Sequence, residues 1–246
     1  MRYKITIEYD GTNYVGWQRQ KHLQQKSVEE ILQDAIFQMT NQEVQLSASG
    51  RTDAGVHAIA QVADFAIEKE FDPFRVMQGL NNYLRESSVC VVACEIVPED
   101  FHSRFNAKMR SYRYRISNRK APPVLQKNRV WHVPADLDIE KMRKGAQHLI
   151  GSHDFSSFRD SECQALAPIR TVNKIDISRL GEEIIIEVTA KSFLHHMVRN
   201  IVGTLMYVGI SKIEPDDIKT ILAAKDRRLS GPNAPACGLY FLGVEY

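Results

Sequence analysis

The chain has 246 residues, 43% of them apolar and 25% charged, with 32 Lys and Arg against 30 Asp and Glu for a formal net charge of +2. That length and balance exclude a disordered tail or a small stapled scaffold, and no apolar run approaches the roughly 20 residues that span a bilayer. Cys90, Cys94, Cys163 and Cys237 lack the two-residue spacing of a zinc knuckle or redox pair, so buried free thiols are expected. The N-terminus alternates instead of forming a signal-peptide core, and the chain reads as cytoplasmic, without membrane association.

Tyr3, Ile5, Ile7 and Tyr9 alternate with Lys4, Thr6, Glu8 and Asp10, which predicts a half-buried strand ended by the turn residues Asp10 and Gly11. After a polar Gly-Trp-Gln-Arg-Gln stretch at 16 to 20, Ser27 and Glu30 form a capping box, and Val28, Ile31, Leu32, Ala35, Ile36 and Met39 recur at helical spacing. Val44, Leu46 and Ala48 predict a strand leading into Ser-Gly-Arg-Thr-Asp-Ala-Gly-Val-His-Ala at 49 to 58, with a return strand around 61 to 65. Asp72 and Pro73 start a second helix, whose predicted apolar face is Phe74, Met77, Leu80 and Leu84. The apolar run 89 to 97 predicts a buried strand. This order is that of an α+β unit with helices on one face of a largely antiparallel sheet, and 98 to 107 is the expected boundary.

From 110 to 116, Tyr112, Tyr114 and Ile116 share one face of a predicted strand, and Arg113 and Arg115 the other. After the Pro122 and Pro123 loop, Ile139, Met142, Ala146, Leu149 and Ile150 predict a helix closed near Gly151, and 153 to 158 reads as irregular structure. Residues 172 to 177 and 184 to 190 predict a strand pair turning near Gly181. A long helix over 195 to 208 carries Met197, Ile201, Leu205 and Val208 on one stripe, with Arg199 off it. His195 and His196, adjacent on that helix, would point apart and so could not share a metal. Pro215 opens a short helix to 224, and 239 to 244 supplies a last strand. Strands with at least two helices in each half suggest duplication of one layout.

Within 49 to 58, Arg51, Thr52 and Asp53 lie between Gly50 and Gly55, which can supply positive φ or the close approach that a rigid turn demands. Arg51 is near enough in sequence to bias the ionisation of Asp53. Taken alone, the stretch reads first as a surface turn. There is no Walker loop, no Gly-x-Gly-x-x-Gly, no His-Glu-x-x-His and no deaminase zinc set. What remains is a carboxylate able to attack an electrophilic carbon or stabilise an oxocarbenium-like sugar. It is accompanied by a stretch, 101 to 135, with no acid but with Arg104, Lys108, Arg110, Arg113, Arg115, Arg119, Lys120, Lys127 and Arg129. The interleaved Phe105, Tyr112, Tyr114 and Trp131 make that run either a solvated basic face or a surface that meets phosphates and bases. An RNA-binding module without chemistry would share the run but gives no reason for an acid on a glycine-flanked turn. A carbohydrate hydrolase would need a second carboxylate within about 5 to 10 Å of Asp53.

Gly-Arg-Thr-Asp-Ala-Gly-Val-His-Ala at 50 to 58 resembles the active-site motif of the tRNA pseudouridine synthase A family. Further blocks resemble family motifs in family order: Gly-Trp-Gln-Arg-Gln at 16 to 20, Arg-Ser-Tyr-Arg-Tyr at 110 to 114, Gly-Ser-His-Asp-Phe-Ser-Ser-Phe at 151 to 158, Phe-Leu-His-His-Met-Val-Arg-Asn-Ile-Val-Gly at 193 to 203, and Ala-Pro-Ala-Cys-Gly-Leu at 234 to 239. The resemblance implies isomerisation of uridine to pseudouridine at positions 38, 39 and 40 of the tRNA anticodon stem-loop. It implies Asp53 as nucleophile, Arg199 as the arginine that pairs with it, Tyr112 as the ring that stacks on the target base, and Arg51 in RNA contact or base extrusion. It also implies no metal, nucleotide or redox cofactor, tRNA as partner, and a homodimer. The implied fold is two ferredoxin-like or RRM-like α+β halves with mainly antiparallel sheets, joined side by side around a basic central cleft. Residues 1–102 would carry the aspartate, and 103–246 the tyrosine and arginine. Asn233 stands where threonine is common before Ala-Pro-Ala, and Arg110 where lysine is common before the tyrosine pair, departures that bear on fine substrate contacts alone.

Overall fold

The computed structural model describes residues 1–20, 24–160, 163 and 165–246. Among these, strands and five α-helices make a mixed α+β fold of two compact units, Met1–Lys108 with Tyr240–Tyr246, and Met109–Leu239. No described helix is long and apolar enough to cross a membrane.

In the first unit, β1 (Arg2–Tyr9) turns Tyr3, Ile5, Ile7 and Tyr9 into the core, each 3% exposed or less, as its alternation requires. It lies antiparallel to both β3 (His57–Ala66) and β4 (Val89–Val97). Two further strands pair with β3: β2 (Ser47–Ala48), antiparallel, and β10 (Leu239–Glu245), parallel. Helix α1 (Val28–Thr40) starts at the expected box, with Ser27 N donating to Glu30 Oε2 at 2.9 Å and Glu30 N donating to Ser27 Oγ at 3.2 Å. Such a cap contributes about 0.5–2 kcal/mol. Helix α2 (Pro73–Tyr83) is capped by Asp72, whose carboxylate accepts from Phe74 N and Arg75 N.

Three details of this unit differ from expectation. The strand through Val44 shrinks to two residues, because Gln33 Nε2 donates to the Val44 carbonyl at 2.9 Å and so occupies it from the helix side. Helix α2 buries Val76, Leu80 and Leu84, leaving Phe74 59% exposed. Both rows contain Leu80 and Leu84, and only the phase of the helix on the sheet chooses between them. Strand β4 is apolar but only partly buried, with Val92 47% and Ile96 41% exposed, because it is the outermost strand of this unit's sheet.

In the second unit, β5 (Met109–Ser117) runs antiparallel to β9 (Glu183–Ala190), β9 to β8 (Ile169–Leu180) and β8 to β7 (Gly151–Asp154), while β6 (Trp131–His132) pairs parallel with β5. Strand β7 falls where irregular structure is expected: Gly-Ser-His-Asp has no apolar alternation, and its conformation comes from pairing with residues of β8. Three helices complete the unit, α3 (Ile139–Gln147), α4 (Met197–Gly209) and α5 (Asp217–Ala224). The predicted stripe of α4 is fully buried at Met197, Ile201, Leu205 and Val208. The helix begins later than expected, because His196 at φ 60° is its left-handed N-cap.

The acid-free stretch of sequence is not acid-free in space. The β5–β9 register sets Arg113 opposite Glu187 and Arg115 opposite Glu183, and the pairs close at 2.7 and 2.5 Å. Arg119 meets Glu182 at 3.2 Å and Lys120 meets Asp136 at 3.3 Å. The four cysteines are unpaired, as expected, but half-buried, not buried. Loss of hydration pushes the Cys94 thiol up to about 12 and raises those of Cys90 and Cys237, so these thiols stay protonated at neutral pH.

Candidate active site

Residues 49 to 58 join β2 to β3, with Asp53 half-buried, Arg51 exposed and Thr52 8% exposed. Buried polar groups tie the rear of this turn to the sheet. Ser49 Oγ donates to Gln61 Oε1 at 2.7 Å, and Gln61 Nε2 donates to the Gly50 carbonyl at 2.7 Å. Val62 N also donates to Gln61 Oε1, at 3.1 Å. The hydroxyls of Tyr9 and Thr52 meet at 2.7 Å, and burial pushes the Tyr9 hydroxyl up to about 12, which keeps it neutral and able to share a proton with Thr52.

Glycine supports the turn at positions both inside and outside it. Gly55 takes φ +77°, as expected, whereas Gly50 is not in the left-handed region. A second requirement lies at Gly16, which has φ +103° and forms an isolated antiparallel bridge with Asp53. A Cβ there would lie 2.5 Å from the Thr52 carbonyl oxygen and 2.9 Å from the Asp53 carbonyl carbon. Trp17 N donates to that same Thr52 oxygen at 3.0 Å. Sequence reasoning flagged the Gly-Trp block at 16 to 20 only as a motif, and its role as the wall behind Asp53 depends on a long-range approach that spacing does not reveal. His57 was likewise missed. It is 2% exposed, accepts from Gly11 N through Nδ1 at 3.0 Å, and stacks on Tyr240 with ring centroids 4.7 Å apart.

The other candidates belong to the second unit. Tyr112 on β5 is 9% exposed and meets Phe193 edge to face, with centroids 5.1 Å apart. Arg199 is half-buried in the first turn of α4, where its Nε donates to the Ala234 carbonyl at 2.7 Å and Ala234 N donates back to the Arg199 carbonyl at 3.2 Å. The adjoining residues are locked to β5: Tyr114 OH donates to the Pro235 carbonyl at 2.7 Å, and a Cβ at Gly238 would fall 2.5 Å from Tyr114 Cζ. The segment 234 to 238 is thus clamped between Arg199 and Tyr114. Burial raises the Tyr114 hydroxyl, with the nearby Cys237 thiol adding to the rise and the Arg199 charge opposing it.

The two histidines do not behave as residues on a helix. His196 caps α4 and its Nδ1 lies 2.6 Å from Asp160 Oδ2, and the His195 and His196 rings lie 3.9 Å apart instead of diverging.

Against this geometry, a model of the tRNA pseudouridine synthase family matches residues 5–106 and 146–246, the first stretch holding Asp53 and the second Arg199, with Tyr112 between them. A protein named tRNA pseudouridine synthase A from Paramagnetospirillum magneticum is 50% identical over 246 residues, which cover 100% of this chain and 95% of the relative. Another of the same name, from Orientia tsutsugamushi, is 44% identical over 284 residues, covering 100% of both. A crystal structure of a Cbf5-Nop10-Gar1 complex overlaps with TM-score 0.36 and 11% identity over 82% of this chain and 54% of that one, a likeness too slight to carry an argument. With the aspartate turn and the arginine-bearing helix both inside the match, and full-length identity on both sides, the chain belongs to the tRNA pseudouridine synthase family.

Proposed function

We propose that this protein converts uridine to pseudouridine at positions 38, 39 and 40 of the tRNA anticodon stem-loop, with Asp53 as the nucleophile. Membership of the family makes it an isomerase acting on tRNA. The reaction breaks the bond between N1 and C1′, turns the uracil, and joins C5 to C1′. The proton lost from C5 is balanced by one gained at N1, so no oxidant, reductant or leaving group is required.

The observation that carries the reading is the presentation of Asp53. Its backbone is fixed from behind by Gly16 and by the Tyr9, Thr52 and Gln61 groups, while its carboxylate side remains half-exposed. An acid presented on a surface that takes up RNA repels phosphate and calls for a chemical role. In this reading Arg199 pairs with Asp53 and keeps it ionised and oriented, since an opposite charge within about 4 to 6 Å lowers an acid's pKa. Tyr112 stacks on the extruded base and replaces the stacking lost from the RNA. Arg51, exposed beside the aspartate, contacts RNA or assists extrusion. Two ferredoxin-like halves, one carrying Asp53 and the other Tyr112 and Arg199, serve the reaction, and two copies of the chain form a homodimer on tRNA.

The test is mapping pseudouridine by position in unmodified tRNA transcripts incubated with the wild type and with Asp53→Asn. The wild type should modify positions 38 to 40, and the variant should bind tRNA nearly as well but form no product. Turnover by the variant removes Asp53 from the chemistry, and a wild type that binds without converting leaves an RNA-binding module.

A further inference from the structure

Of the nine cations in the acid-free run, Arg113, Arg115, Arg119 and Lys120 are paired with acids within the fold. A second group of charges in the second unit lines a cleft. A cleft of about 400 Å³ lies between the 3-10 turn Ser156–Phe158 and the end of α5, lined by Ser156, Arg159, Asp160, Lys225, Asp226 and Arg227.

The acids of this cleft are already engaged. Asp226 is gripped by Arg228 through Nε at 3.0 Å and Nη2 at 2.6 Å, and those hydrogen bonds hold its carboxyl low, at about 2. Asp160 meets His196 at 2.6 Å. Of the cations, Lys225 pairs with Asp154 at 3.1 Å. Arg227 is differently placed. Its guanidinium donates to Ser230 Oγ at 2.7 Å, the Gly231 carbonyl at 2.9 Å and Asn200 Oδ1 at 2.8 Å, all neutral acceptors. These bonds fix the fork without cancelling its charge, and loss of hydration pulls the group below its ordinary pKa, with the negative charge of Asp160 opposing the fall. Arg159, half-buried at the exit of the 3-10 turn, forms no ion pair among the described residues. Arg159, Arg227 and Ser156 together line a space large enough for a phosphate with its ribose. Planar guanidinium forks match phosphate oxygens better than any other side chain does.

We propose that this cleft is a phosphate subsite that takes a backbone phosphodiester of the tRNA, with Arg159 and the prefixed Arg227 as its main contacts. The subsite rests on the reading of tRNA as substrate, and it would hold the RNA in register without touching the reacting uridine. Arg227 is tied into the fold by three hydrogen bonds, so Arg159 is the residue to vary.

The experiment measures tRNA affinity over a series of salt concentrations for the full-length wild type, Arg159→Ala and Arg159→Lys. Each phosphate contact contributes roughly 0.7 to 0.9 to the slope of log affinity against log salt. Arg159→Ala should bind severalfold more weakly with a slope shallower by about that amount. Arg159→Lys should keep the slope and recover part of the affinity, since the charge remains and the fork is lost. Should the alanine variant lose its thermal transition, Arg159→Gln, close in size, replaces it. Affinity and slope equal to wild type overturn the subsite even if the wild type forms pseudouridine. A wild type that forms none overturns the enzymatic reading, and the binding series still decides the cleft.

Discussion

Gly16 and Asp53 pair backbone to backbone as an isolated antiparallel bridge, and the approach is too close for any side chain at Gly16. The atoms a Cβ would meet are the carbonyl groups of Thr52 and Asp53, which cannot swing aside as the tip of a long side chain can. Gly16 also holds φ +103°, where an L-residue is strained. The residue proposed as nucleophile is therefore positioned by a glycine distant in sequence.

Gly16→Ala should lower the free energy of unfolding by about 1–3 kcal/mol, from backbone strain plus the displaced turn. Under conditions where the variant is fully folded, pseudouridine formation should still fall by tenfold or more, on the order of 1.4 kcal/mol of barrier. Urea denaturation and single-turnover assays on the same preparation check this. A destabilised variant with wild-type single-turnover rate would show that the bridge does not set Asp53.

Tyr9→Phe tests the buried hydroxyl pair behind the turn. Phenylalanine keeps the ring but leaves Thr52 Oγ1 buried without the hydroxyl it meets at 2.7 Å, at a cost of about 1–3 kcal/mol. The double variant with Thr52→Val should be less unstable than the two single losses combined, because both members of the pair are then apolar. The Tyr9 hydroxyl is held at about 12 in the fold against an ordinary value of 10.0. The stability it contributes is fully present below pH 10.0 and is lost as pH rises through about 12, because the unfolded chain ionises first. Denaturation midpoints followed across that range should fall less steeply in Tyr9→Phe than in the wild type.

What the sequence makes legible depends on how local each feature is. The Ser27 and Glu30 box, the Asp72 and Pro73 start and the alternation of β1 are each written within a few residues, and the structure has them. The Asp53 turn stands out for the same reason, its acid and its two glycines being contiguous. The wall supplied by Gly16 is not written locally, because Gly-Trp has many uses and only tertiary approach selects this one. Arg113 and Arg115 mislead in the opposite sense: the acids that pair with them come from β9, in a register no one-dimensional charge count contains. His195 and His196 read as helical in the sequence because the true start of the helix, a left-handed N-cap at His196, has no glycine or asparagine to announce it.

Tyr112 separates packing from base recognition. The ring is 9% exposed and rests edge-on against Phe193, so Tyr112→Ala removes a core contact as well as any stacking surface. Tyr112→Phe should melt close to wild type and keep most of the tRNA modification rate. Tyr112→Ala should lose about 1–3 kcal/mol of base contact, read as weaker capture of tRNA in kcat/KM after allowing for its lower melting temperature. Equal kcat/KM in all three proteins removes Tyr112 from the site.

Gly238→Ala tests whether the clamp on segment 234 to 238 matters to the arginine. The added Cβ would fall 2.5 Å from Tyr114 Cζ and 2.8 Å from its hydroxyl oxygen, in a ring that is fully buried and cannot retreat. The segment must shift instead, and with it the Ala234 carbonyl to which Arg199 Nε donates at 2.7 Å. The expected result is a loss of about 1–3 kcal/mol in stability, typical of overpacking, with a fall in kcat larger than the change in tRNA affinity. Tyr114→Phe is the control: it keeps the ring and gives up only the bond to the Pro235 carbonyl, so it should cost about 1 kcal/mol of stability. If Gly238→Ala lowers stability as far as expected but leaves kcat at the wild-type value, Arg199 does not depend on this segment for its position.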